Sequence, residues 1–317
     1  MAVFDILSLV TRTVHSEKLG GGENAIEIND ITRFVMSTTR LRASLGAAVV
    51  MVLAGTLVCG CTFSVDELIS ENALQQSVLT GTYYQHVIFR QTTEKAQNRL
   101  HVYIGGDGQP WIRGHRPASD PTPNNPLALR LMTLDTANAV FIGRPCFFGL
   151  AGNNDCHPDD WTFARYSEKI IDSMSAVIQR ITIKGGYEEI LIIGYSGGGV
   201  IARLVAAKVP HVLGVLTING NLDINAWTEF HDYLPLTRSR NPADAMPLPA
   251  RIPHVQAVGG KDEIVPPLIT ESYRQSGQKL QVWLYPEYDH VCCWLREWPE
   301  ILARFESSQL ANVNRKY

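Results

Sequence analysis

The stretch Glu188–Val200 reads Glu-Glu-Ile-Leu-Ile-Ile-Gly-Tyr-Ser-Gly-Gly-Gly-Val and is compatible with few folds. Its apolar run, Ile190–Ile193, has the composition of a strand buried on both faces, as in a parallel sheet covered by helices. The run ends in Gly194-Tyr195-Ser196-Gly197-Gly198, a G-x-S-x-G pattern, and the apolar-periodic segment Val200–Val209 follows at once. Strand, sharp turn and helix form the context this pattern requires. A turn that tight leaves no room for side chains at Gly194 and Gly198. It holds Ser196 in a strained conformation with its hydroxyl above the sheet edge, where the next helix directs its free N–H groups. A phosphate-cradling turn is the rival reading, but the stretch lacks the P-loop lysine and the G-x-G-x-x-G spacing.

The stretch resembles the nucleophile elbow of the α/β-hydrolase superfamily. That resemblance implies an α/β-hydrolase fold, with a mostly parallel central sheet flanked by helices on both faces. It also implies a serine hydrolase acting on a carboxylic ester or related acyl group, with no metal or organic cofactor. The pattern along the chain agrees. Strand-like segments at Tyr83–Arg90, Leu100–Ile104, Ala139–Gly143, Val212–Ile218, Ile252–Val258 and Gln281–Tyr285 alternate with helical ones. One helix is expected to start at Asn125-Pro126, with Asn125 as its cap, and to run to about Leu134. Another is capped by Ser167, and the last begins at Trp298-Pro299.

A serine nucleophile needs a base, and the base needs a group that fixes its tautomer. The superfamily order is Ser, then Asp or Glu, then His. His254 lies inside a strand, so its side chain belongs to a sheet face. His290 follows the last strand and a short loop, Pro286–Asp289, and precedes the last helix, which is where the superfamily places its histidine. Asp262, in Gly260-Lys261-Asp262-Glu263-Ile264-Val265-Pro266, resembles the superfamily acid, with Glu263 and Asp223 as its rivals. The loop Gly105-Gly106-Asp107-Gly108 lies where the superfamily builds half of its oxyanion hole. By that resemblance the donors would be the main-chain N–H groups of Asp107 and Gly197, and Gly105 stands where a histidine is usual.

The chain has 317 residues, a formal charge of −3 and 45% hydrophobic residues. This suits one large α/β domain or two small ones, and no basic excess points to nucleic acid. No His/Cys cluster has metal-ligand spacing. Arg40 and Arg42 precede an uncharged apolar stretch, Ala43–Val58, and then Val58-Cys59-Gly60-Cys61. That is the plan of a secretory signal. Its end resembles the lipobox of bacterial lipoproteins, which implies lipidation at Cys61 and a membrane-anchored protein of the bacterial envelope, with the outer membrane favoured. The expected organisation is an extension over 1–35 that precedes the true start, a signal over 36–60, a tether over 61–80 and a hydrolase domain over 81–317. Residues 219–250 are either a small cap over the site or a helix and loop packed at the sheet edge. Export fits a disulfide between Cys146 and Cys156, whereas Cys292 and Cys293 read either as a strained adjacent pair or, by preference, as two buried small apolar residues.

Two further functions share these residues. One is a catalytically silent envelope lipoprotein that binds a ligand or partner. The other is a peptidase or acyltransferase using the same three side chains.

Overall fold

The computed structural model describes residues 65–91 and 98–314. The signal segment, the extension before it and the lipidation candidate Cys61 lie outside the described residues. A helix α1, Val65–Glu71, leads into the strands β1 (Gln75–Thr80), β2 (Gln85–Arg90) and β3 (Arg99–Ile104). A small hairpin, β4 (Trp111–Ile112) and β5 (Arg116–Pro117), precedes helix α2 (Leu127–Thr133) and strand β6 (Asn138–Ile142). Then come α3 (Glu168–Gly185), β7 (Glu189–Tyr195), α4 (Gly197–Val205), β8 (Val212–Ile218), α5 (Ile224–Phe230), β9 (His254–Gly259), α6 (Pro267–Gln275), β10 (Gln281–Tyr285) and α7 (Trp294–Asn314).

The eight-stranded sheet has the order β1-β2-β6-β3-β7-β8-β9-β10. The pairs β1/β2 and β2/β6 are antiparallel, and all the others are parallel. Alternate residues of the central strands feed two cores, because side chains along a strand alternate between faces. Leu100, Val102, Ile190 and Ile192 join α3 and α4 on one face. Tyr103, Leu191 and Ile193 join α2 and α7 on the other. The β7 run Ile190–Ile193 is wholly buried, as its continuous apolar composition requires.

Several boundaries differ from the sequence expectation, each for a physical reason. The described part of the 61–80 tether is built into the fold. Leu68 and Leu74 are buried, and β1 hydrogen-bonds along β2 as the edge strand. The cap of α2 is Pro126 rather than Asn125, whose Oδ1 instead accepts from Arg130 Nη1 at 2.9 Å. Helix α7 starts at Trp294, four residues before the expected start, with Pro299 inside its first turns. The bond Cys146–Cys156 is present. It joins positions 10 residues apart, which contributes about 2–3 kcal/mol in the chain-entropy view. Of the two readings of Cys292 and Cys293, the adjacent pair is the one present rather than the preferred buried, unpaired residues, and Cys292 is exposed in the loop before α7. Among the described residues no helix is long and apolar enough to cross a membrane.

One buried ion cluster ties the sheet to α7. His101 on β3 meets Asp135 through Nδ1 at 2.7 Å and Glu306 of α7 through Nε2 at 3.1 Å. The Tyr103 hydroxyl donates to the same Asp135 oxygen at 2.6 Å. Burial pushes the imidazole down, but the two carboxylates outweigh it and hold His101 up at about 9. Burial pushes Asp135 up, and its bonds to His101 and Tyr103 more than reverse that, holding it below its ordinary range. The folded pKa of His101 is raised. Its contribution to stability is therefore complete below about 6.5 and lost as pH rises through about 9. We predict that wild type melts well above His101→Gln at about pH 6 to 7, and that the gap narrows by about pH 10. An unchanged gap across that range, read by thermal denaturation, would contradict the assignment.

Candidate active site

The turn between β7 and α4 is held by contacts that only glycine permits. A Cβ at Gly194 would lie 2.4 Å from the Gly198 carbonyl oxygen, and one at Gly198 would lie 2.3 Å from that of Ile104. Ser196 sits between them at φ 53° and ψ −127°. Such a conformation costs about 1–3 kcal/mol and persists only where its surroundings impose it. Its own N–H is held by Ile218 at 2.9 Å, and its carbonyl accepts from Gly199 at 2.8 Å. The hydroxyl is left at the C-terminal edge of the sheet, in front of the α4 N-terminus.

His290 and Asp262 reach this point from loops at the same edge. His290 Nε2 lies 3.1 Å from Ser196 Oγ, and its Nδ1 lies 2.8 Å from Asp262 Oδ2. The other Asp262 oxygen accepts the N–H groups of Ile264 and Val265, both at 2.8 Å, so the carboxylate is fixed and buried. The rivals are elsewhere. Asp223 caps α5 through the N–H groups of Asn225 and Ala226 and accepts Ser272 Oγ at 2.6 Å. Glu263 is exposed. His254 opens β9 with its side chain buried against Thr217 of β8, where burial and then the charge of Arg203 push it down to about 3.

The glycine-rich loop comes up against the turn as expected. A Cβ at Gly106 would lie 3.2 Å from Ser196 Cβ. Among the described residues, neither the Asp107 N–H nor the Gly197 N–H, the two donors that the resemblance implies, has a hydrogen-bond acceptor. The Asp107 side chain is engaged with Arg144, Arg165 and Tyr166. Burial pushes this carboxyl up, and the charges of Arg165 and Arg144 with the Tyr166 hydroxyl more than reverse that, holding it at about 2.

Sequence reasoning missed these three partners and also Asn219. Asn219 Nδ2 donates to the carbonyl of Asp289 at 3.0 Å, and its Oδ1 accepts the Gly259 N–H at 2.8 Å. It thereby ties the loop of His290 to the end of β9. Its φ of 46° is a conformation that asparagine tolerates, but one residue after a strand cannot announce a contact 70 positions away. Tyr195 adds a ring against His290 at 5.1 Å and a hydroxyl bond to its carbonyl at 3.1 Å.

The site opens into a cleft of about 1070 Å³, walled mainly by apolar side chains such as Trp111, Phe163, Leu234 and Leu236. In residues 219–250, Asp223 ties α5 to α6, and Trp227, Tyr233 and Leu234 line the cleft. Trp227 Nε1 and His231 Nε2 both bond the Ile264 carbonyl, at 2.7 and 2.9 Å, which pins this segment to the loop of Asp262.

No protein-family model matches the chain, and no curated protein matches it. Among solved structures it is similar to an esterase of Pyrococcus furiosus, seen in three crystal forms at TM-score 0.51 and 11% identity. In the first of these the likeness covers 78% of this chain and 93% of that one. A member of the α/β serine hydrolases without a lid, from Xanthomonas campestris, aligns at TM-score 0.46 and 13% identity over 76% of this chain and 94% of its own. The architecture is the α/β-hydrolase fold.

The geometry separates the two aspartates experimentally. In Asp262→Asn the His290 Nδ1–H loses its charged acceptor, so its low-field proton NMR resonance should vanish. In Asp223→Asn that resonance should persist. A resonance that survives in Asp262→Asn and disappears in Asp223→Asn would reverse the assignment.

Proposed function

We propose that this α/β-hydrolase-fold protein is a serine hydrolase that cleaves carboxylic esters through an acyl-enzyme. The observation that carries the reading is the continuous hydrogen-bonded chain Ser196–His290–Asp262, built on a strained turn. A serine hydroxyl is a weak nucleophile until a base takes its proton. As Ser196 Oγ bonds to the ester carbonyl carbon, His290 Nε2 takes that proton. Asp262 accepts Nδ1–H, which fixes the tautomer and stabilises the imidazolium. The carbonyl electron pair moves onto oxygen, where the N–H groups of Asp107 and Gly197 receive it. Each such donor is worth about 3–4 kcal/mol in the transition state. Collapse expels the alcohol with the proton from His290. A water then gives a proton to His290 and its oxygen to the acyl carbon, releasing the acid and restoring Ser196.

The apolar wall of the cleft supports esters with a hydrocarbon acyl chain over peptides, whose amides leave more polar groups to satisfy. Hydrolysis of 4-nitrophenyl esters of increasing acyl length tests this. Each buried methylene adds about 0.8 kcal/mol, so kcat/KM should rise about fourfold per carbon over the first few carbons. Ser196→Ala should fall to background, and Asp262→Asn should fall by about four orders of magnitude. Full activity in Ser196→Ala would refute the reading.

We also propose that the chain is held on a membrane by acylation at Cys61, on the strength of the arginine, apolar and small-residue pattern before it. Two acyl chains would anchor it stably, where one binds only marginally. Metabolic labelling with a palmitate analogue should mark the protein and be lost in Cys61→Ser. Label retained in that variant would exclude the site.

A further inference from the structure

The wall of the cleft holds a positive charge that ester cleavage does not require. Arg144 and Arg165 both press on one carboxylate, Asp107. Arg144 Nη1 meets Oδ1, and Arg165 Nη1 meets Oδ2 at 3.0 Å. The Tyr166 hydroxyl donates to the same carboxylate at 2.6 Å. Burial and the charge of Asp107 push this phenol well up, so it stays neutral. The remaining bonds of the arginines go to main-chain carbonyls. Arg144 Nη2 donates to Arg165 at 2.8 Å, and Arg165 Nε donates to Thr162 at 2.6 Å. Two guanidinium groups against one carboxylate leave one unit of positive charge, on side chains no more than 5% exposed.

The neighbouring acids have other partners. Asp159, on the same wall, is held by both terminal nitrogens of Arg238 at 2.5 Å. Asp160 faces away, accepting the Tyr84 hydroxyl and the His157 N–H, both at 2.9 Å. A buried charge is costly unless something of opposite sign meets it. The excess also sits close to the reacting position. A Cβ at Gly197 would lie 2.0 Å from Asp107 Oδ1 and 2.5 Å from the Tyr166 hydroxyl. Arg165, bonded to that same Asp107 carboxylate, lines the cleft.

We propose that Arg165 receives an anionic group of the substrate, a carboxylate or a phosphate a few bonds from the scissile carbonyl, so that charged esters are preferred to neutral esters of the same length. The inference rests on the serine-hydrolase reading and deepens it by naming a substrate class. Such a substrate joins two features of the cleft. Its charge meets Arg165 beside the glycine-rich loop, and its hydrocarbon part lies along the apolar wall. Long-range attraction by surface charge is not involved, because the guanidinium is buried and its partners orient it.

The test compares two 4-nitrophenyl esters of equal length, the mono-succinate and the neutral butyrate. The quantity read is the ratio of their kcat/KM values within each variant, which a general loss of activity does not move. Wild type should favour the succinate about tenfold or more. Arg165→Gln should bring the ratio to about one, and Arg165→Lys should restore part of it. Free succinate and inorganic phosphate, added separately as competitors of the butyrate, distinguish the two anions. Whichever inhibits wild type at the lower concentration names the group. A wild-type ratio at or below about one, or a ratio unchanged in Arg165→Gln, overturns the inference and leaves the hydrolase reading standing. Hydrolysis of neither ester by wild type removes both.

Discussion

The backbone of α4 meets the backbone of β3 at Gly198, and the rest of the site depends on that approach. The contact leaves no space for a side chain, since a Cβ would fall 2.3 Å from the last β3 carbonyl oxygen and 2.5 Å from the next along the chain, at Gly105. It forces the chain to turn within a few residues after β7 and puts Ser196 at a positive φ. It also sets the glycine-rich loop directly beside the turn. The two candidate N–H donors, at Asp107 and Gly197, come from different parts of the chain and are placed by this one contact. The loops of Asp262 and His290 then close over the same sheet edge, and Asn219 ties the His290 loop to the end of β9.

The electrostatics follow from that placement. The Asp107 carboxylate lies against the turn that carries Ser196, where a Cβ at Gly197 would fall 2.0 Å from its Oδ1. Arg144, Arg165 and Tyr166 turn it into the centre of a positively charged cluster. All three lie in the connection between β6 and α3 that the Cys146–Cys156 bond shortens. Fixing that connection holds these charges in place beside the cleft.

Much of this was legible in the sequence because it rests on short-range rules. Ile190–Ile193 could only be a buried strand, and the glycines after it could only be a tight turn. Asp262 and His290 were chosen by resemblance to the superfamily order, at loops that follow strand-like segments. What could not be read depends on distant partners or on weak patterns. β1 is Gln-Gln-Ser-Val-Leu-Thr, an exposed edge strand with no apolar alternation, so nothing in it announces pairing with β2. Asn125 lost the cap of α2 because a proline follows it and its side chain found Arg130. Whether Cys292 and Cys293 bond to each other is not a matter of composition. The ring of charge around Asp107 joins positions 37 to 59 residues apart, and only the fold brings them together.

If the fold makes Ser196 a nucleophile, the most direct measurement is covalent labelling by a fluorophosphonate probe, with the modified peptide mapped by mass spectrometry. We expect Ser196 alone to be modified in the folded protein, labelling to slow strongly in His290→Gln, and none to occur after denaturation. Absence of label in the folded protein, or label on another residue with Ser196 unmodified, would contradict that role.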